Sequence, residues 1–272
     1  MLSVLFTETG ILPVRYRRAI LALGYAIYLV GIDRQDDLTR AAFRESFRLA
    51  VANLPSWSSD IRWVLASLPS PVHISLDSLL TARSIEKVMD RVLSACECDL
   101  QMQVSTLVKT QFLKHRLERD DAGRLVTLGL RHYLRLVNPS HRVAYTRFLV
   151  SDHKLAIEEL RHANRSWRYV ERELRLCRFC HAGVEDECHA LLICSGHPSL
   201  SRLRADFLRD VFMSQPDLRR LTSVPAYDFL LALVANHNLT ARVAKLVYDV
   251  FELYKAKEIW VPPSHFLRAD SQ

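Results

Sequence analysis

The residues with the clearest chemistry lie late in the chain. Cys177-Arg178-Phe179-Cys180 is followed by His189 and Cys194, a C-x2-C-x8-H-x4-C pattern. Two cysteines three apart let a tight turn present both sulfurs to one ion, and two further donors complete a tetrahedron. Cys177, Cys180, His189 and Cys194 would fill all four positions of one Zn2+ and leave none for water. A closed site of this kind organises structure and does not hydrolyse substrates. In small modules such an ion contributes an apparent ~10–16 kcal/mol to folding. Cys188 adjoins His189 and is an alternative fourth donor. On a helix the two point about 100° apart, so only one faces the metal, and His189 is the assignment made here. His181 and His197 are read as bystanders. A redox role for the CxxC pair would need a thioredoxin-like βαβ setting, which the flanking sequence does not offer. Cys96 and Cys98 have no second pair near them and receive no site, and a two-metal ubiquitin-ligase module would need eight ligands.

A basic, aromatic approach precedes the cysteines. Arg161, Arg165, Arg168, Arg172, Arg175 and Arg178 stand against only Glu171 and Glu173, with Trp167 and Tyr169 interleaved. Guanidinium groups with aromatic rings suit phosphate contact plus base stacking on single-stranded nucleic acid. These eight residues are therefore the expected nucleic-acid contacts. Glu185, Asp186 and Glu187 follow at once and would pair with some of the arginines.

Other chemistry is poorly supplied. Only 7 of 272 residues are glycine, and no phosphate-binding loop, dinucleotide fingerprint or nucleophile elbow can be read. The doublets Asp36-Asp37 and Asp120-Asp121 lack the flanking strands of a two-magnesium polymerase hairpin. Ser151, Asp152 and His153 are consecutive, which disfavours a mutual triad. His73, His115, His132 and His237 have no evident partner and read as surface or satisfied core residues; Trp57 and Trp63 read as packing residues. The chain is thus expected not to be an enzyme. Its formal charge of +7 favours polyanionic partners.

The elements that must position these residues read as helices, because apolar positions recur at helical spacing and strand alternation is missing. The fold class is mainly α, with a multi-helix N-terminal region, a small zinc-stabilised module and C-terminal helices. Helices are expected at about 13–30, 36–53, 59–68, 76–95, 100–119, 124–137, 141–150, 152–163, 199–213 and 240–258, with Asp36 or Asp37 capping the second. The domains are placed at 1–137, 138–215 and 216–272, divided first by Asn138-Pro139-Ser140. The longest apolar run, Ala19 to Ile32, has 14 residues, short of the ~20 a bilayer span needs. With no basic, apolar leader at Met1, the expectation is a nuclear or cytoplasmic protein, not secreted and not in a membrane.

One resemblance gathers these features. Leu176-Cys177-x-x-Cys180, Val184-Glu185-Asp186-Glu187-x-His189-x-Leu191-x-x-Cys194 and Leu203-Arg204 resemble the zinc-binding region near the C-terminus of reverse transcriptases from LINE-like, non-LTR retrotransposons. Ser151-Asp152-His153-Lys154-Leu155-Ala156-Ile157-Glu158 resembles the segment preceding that site, and Ile11 to Arg18 resembles the helical region after the polymerase core. The likeness is closest over about 148–212 and weaker over 10–70. Lys154 stands where relatives often carry proline, and Tyr169-Val170-Glu171 where many have Val-Pro-Arg. The resemblance implies the C-terminal portion of such a polymerase, without its catalytic carboxylates. Its role would be to position template RNA or target DNA beside a polymerase portion supplied elsewhere. The alternatives are a zinc-pinned structural or protein-interaction module and a degenerate retroelement reading frame without activity.

Overall fold

In the computed structural model, residues 2–32, 37–114, 118–119, 123 and 125–266 are described. Asp36, His115 and the Asp120-Asp121 doublet lie outside them. The architecture is mainly α, and the described residues form isolated bridges but no sheet. None of the described helices is long and apolar enough to cross a membrane. The chain divides into two compact units: Met1–Thr106 with Arg124–Leu130, and Leu107–Gly123 with Arg131–Gln272. This division differs from the three domains expected above. Asn138 falls inside the second unit, where its side chain caps a helix by accepting from the Ser140 and His141 amides.

The first unit contains α1 (Leu2–Thr9), α2 (Val14–Val30), α3 (Leu38–Val51), α4 (Trp57–Ala66) and α5 (Ala82–Thr106). Asp37 caps α3 by accepting from the Thr39 and Arg40 amides, and Ser56 with Ser59 forms a reciprocal capping box on α4. α2 packs along α5, and Leu23, Leu79, Ile85, Val92 and Leu100 sit in one buried apolar cluster. Each such side chain contributes roughly 1.5–3 kcal/mol by leaving water. The separate helices expected at 76–95 and 100–119 are replaced by α5, which runs unbroken through Cys96-Glu97-Cys98. Cys96 lies on the buried face with Val92 and Leu100, four residues to either side, so the cysteine continues the apolar stripe. Trp57 packs against this core, whereas Trp63 is 70% exposed and is not a packing residue.

The second unit holds the short α6 (Gln111–Lys114), α7 (Pro139–Leu149), the short α8 (Ala156–Glu159), α9 (Pro198–Ser214), α10 (Ala226–Ala235) and α11 (Thr240–Lys255). α11 is its spine, with Val243, Ala244, Val247, Val250 and Tyr254 buried and with α7, α9 and α10 against it. Two expected helices shrink: among the described residues, 124–137 yields only a 3-10 turn at His132–Arg135, and 152–163 only α8. α10, which follows Pro225, was not expected. Proline at its N-terminal boundary starts this helix.

Candidate metal centre

Two turns build the centre. In the first, the Cys177 amide donates to the Gly183 carbonyl at 2.8 Å and the His181 amide to the Cys177 carbonyl at 2.9 Å, closing a knuckle around Cys177–Cys180. His181 takes a positive φ of 52° to let the chain reverse. In the second, His189–Ile193 is a π-helical turn in which the Cys194 amide donates to the His189 carbonyl at 2.8 Å. Such wide turns are rare and concentrate at functional sites. Two glycines let the turns meet. A Cβ on Gly196 would stand 2.7 Å from the Cys180 nitrogen, and one on Gly183 would stand 2.9 Å from Nδ1 of His189.

The four donor atoms of Cys177, Cys180, His189 and Cys194 lie within 4.8 Å of one another. Cys177 Sγ is 3.5 Å from Cys194 Sγ, and Cys180 Sγ is 3.3 Å from Nε2 of His189. A tetrahedral ion bound at ~2.3 Å to sulfur and ~2.0 Å to nitrogen sets donor separations of about 3.5–3.8 Å, so the residues fit a Cys3His metal site. Cys188 is buried but stands outside the converging group; burial, then Asp186 and Glu187, push its thiol up to about 11. Burial also pushes Cys194 up to about 11. A bound ion would supply the charge that stabilises the Cys194 thiolate.

A polar frame holds the turns. Buried Glu185 takes Arg178 as its ion-pair partner at 2.6 Å and accepts the Ala156 and Arg178 amides at 2.8 Å each. Arg178 also donates to the carbonyls of Lys154, Tyr254 and Lys257. Tyr254 places its hydroxyl 3.3 Å from Cys177 Sγ, and Arg204 donates to the Leu191 and Cys194 carbonyls. Behind them, His153 Nε2 meets Glu187 Oε1 at 2.9 Å and Ser151 donates to the same oxygen. Burial pushes the Glu187 carboxyl up, but the His153 hydrogen bond and charge outweigh this and hold it below its ordinary range. Glu185, Tyr254 and Arg204 thus hold the turns from outside the ligand set. Charge signs hinted at Glu185, but nothing in the spacing pointed to Tyr254.

The expected nucleic-acid residues separate into three groups. Arg175 and Arg178 are only 5% and 4% exposed and donate to internal acceptors, so they leave the surface set. Their guanidinium groups satisfy carbonyls that burial would otherwise strand. Trp167 also leaves it, because it packs on the cluster of Ala156, Leu160, Val170 and Val261. Arg161 and Arg172 meet Glu158 and Asp186 at 3.4 Å each, weak contacts that solvent screens. Arg165, Arg168 and Tyr169 are exposed. The bystander histidines have structural duties: His197 caps α9 by accepting from the Ser199 amide, and His181 sets its ring against Trp260.

No protein-family model, curated protein or solved structure matches the chain.

Proposed function

We propose that this chain is a non-catalytic module in which one structural zinc ion, bound by Cys177, Cys180, His189 and Cys194, shapes a nucleic-acid-binding surface. The observation that carries the metal half of the reading is the convergence of four soft and borderline donors, with Cys177–Cys194 at 3.5 Å and Cys180–His189 at 3.3 Å. Four protein ligands leave no position for a substrate, so the ion's role is to hold the two turns together. The role in view is that of the C-terminal zinc-binding part of a LINE-like reverse transcriptase, holding template RNA or target DNA beside the polymerase. Support for that part is the sequence resemblance. Ser151, His153, Glu185, Glu187 and Arg204, all within its segments, also frame the centre.

The nucleic-acid surface reduces to Arg165, Arg168 and Tyr169, with Arg161 and Arg172 at its edge. Two to four phosphate contacts on a single strand give a slope of log affinity against log salt of roughly −1.4 to −2.8. Zinc analysis of the purified chain and a salt titration with single-stranded RNA test the two halves separately. One zinc per chain and a slope in that range are expected; zinc well below one per chain overturns the metal, and a flat titration overturns the nucleic-acid role. Primer extension by the purified chain would overturn the non-catalytic assignment.

A second reading, a zinc-pinned scaffold for protein contact, draws on one observation. α2 leaves Val14, Leu21, Tyr25 and Tyr28 exposed along its length. Isolated surface apolars are ordinary, but several on one helix suit a partner. This reading predicts full zinc content without salt-dependent RNA binding.

A further inference from the structure

Elsewhere in the second unit, three residues far apart in sequence bring donor atoms together. Glu118, His132 and His237 each offer one carboxylate oxygen or ring nitrogen, and these atoms lie within 4.8 Å of one another. His132 opens the 3-10 turn His132–Arg135, and His237 opens the 3-10 turn His237–Leu239 just before α11. The two imidazoles face each other with centroids 4.1 Å apart.

Their surroundings orient them. His132 Nδ1 lies 2.6 Å from Glu118 Oε1, while Nε2 lies 2.8 Å from the Thr240 hydroxyl. Arg131 donates to the other Glu118 oxygen at 3.1 Å. In metal sites a ligating imidazole holds a partner on its second nitrogen, and a ligating carboxylate is itself hydrogen-bonded. Thr240 and Arg131 stand in those two places, leaving Nδ1 of His132 and Oε1 of Glu118 turned toward each other. His237 is exposed, so solvent reaches that side of the group.

We infer that Glu118, His132 and His237 form a second metal site, for a borderline divalent cation such as zinc, with three protein ligands and solvent on the rest of the ion. Two imidazoles and one carboxylate suit such ions, whereas calcium and magnesium prefer oxygen throughout. Bonds of ~2.1 Å to a tetrahedral ion set donor separations of about 3.4 Å. The 2.6 Å contact between His132 and Glu118 must open by side-chain rotation on the ion's arrival. Three ligands with solvent access form the open kind of site, distinct from the closed Cys3His set. Arg131 beside the carboxylate makes it the weaker of the two.

The test uses the full chain, dialysed against excess zinc and analysed for bound metal. Two ions per chain are expected, one of them removed by a weak chelator. His237→Ala and Glu118→Gln should each lower the count to one while helical circular dichroism is retained. Because His237 is exposed, its loss leaves the fold intact. Cys177→Ser reads the other centre: an ion lost in His237→Ala but kept in Cys177→Ser assigns it to this site even if the cysteine cluster holds none. A wild-type chain with no ion sensitive to His237→Ala or Glu118→Gln overturns the inference, whatever Cys177→Ser shows. That result would leave Glu118, His132 and Thr240 as a hydrogen-bonded relay between chain segments.

Discussion

The two units solve the problem of stability in opposite ways. The first buries an uninterrupted stripe from α2 against another from α5, and its buried polar side chains are few and mostly uncharged: Ser3, Thr7 and Ser58, with the acid Glu8 accepting from the Thr7 hydroxyl at 3.3 Å. The Tyr16 hydroxyl meets Asp99 at 3.2 Å, and burial chiefly pushes the Cys96 thiol up to about 12. The second buries Arg131, His153, Arg175, Arg178, Glu185 and Glu187. Buried charge is costly unless paired and hydrogen-bonded, so the second unit depends on every partner being present. An apolar core loses strength gradually as methylenes are removed, whereas a charged core fails when one member is lost.

The largest effect should come from the metal. Chelation or Cys177→Ser is expected to abolish protection of the amides around 176–196 in hydrogen exchange while α2 and α5 stay protected. Equal loss in both units would erase the contrast. Next, Arg178→Leu strands Glu185 and should destabilise the second unit by about 3–5 kcal/mol in denaturant unfolding. Arg178→Lys should rescue little, since an ammonium cannot reproduce the forked contacts with Glu185 and three carbonyls. Leu23→Ala should cost the first unit about 2–5 kcal/mol and leave zinc content unchanged, measured by unfolding and metal analysis together. Smallest of all, Arg165→Ala with Arg168→Ala should change stability by no more than about 0.5 kcal/mol and flatten the RNA salt slope by roughly 1.4. A large stability loss there would mean those arginines belong to the frame.

The same contrast sets what could be read from sequence. Helices with a periodic apolar face were legible: α2, α3, α4 and α9 start and end within a few residues of expectation, and the last three also carry a capping side chain. So was the convergence of Cys177, Cys180, His189 and Cys194, because C-x2-C fixes a local turn. Where the outcome rests on tertiary partners, spacing misleads. Arg165 and Arg178 look alike in the sequence, yet one meets solvent and the other meets Glu185. Their difference lies in the end of α11 and the residues just after it, which bring the Tyr254 and Lys257 carbonyls to Arg178 from 76 and 79 residues away. His132 and His237 looked solitary for the same reason, and 124–137 lost its helix to a bridge between Thr9 and Leu130 and a 3-10 turn.

The π-helical turn acts as a ruler. In an α-helix, residues five apart lie about 140° from the same side, so His189 and Cys194 would diverge. Closing the turn at the fifth residue instead brings both donors to one edge, which is why four residues separate them where an α-helical pair would have three. The segment should therefore forgive changes of side chain more readily than changes of length. Deleting a single residue between Ala190 and Ile193 would restore α winding and swing Cys194 out of reach, an injury greater than replacing any one apolar side chain there.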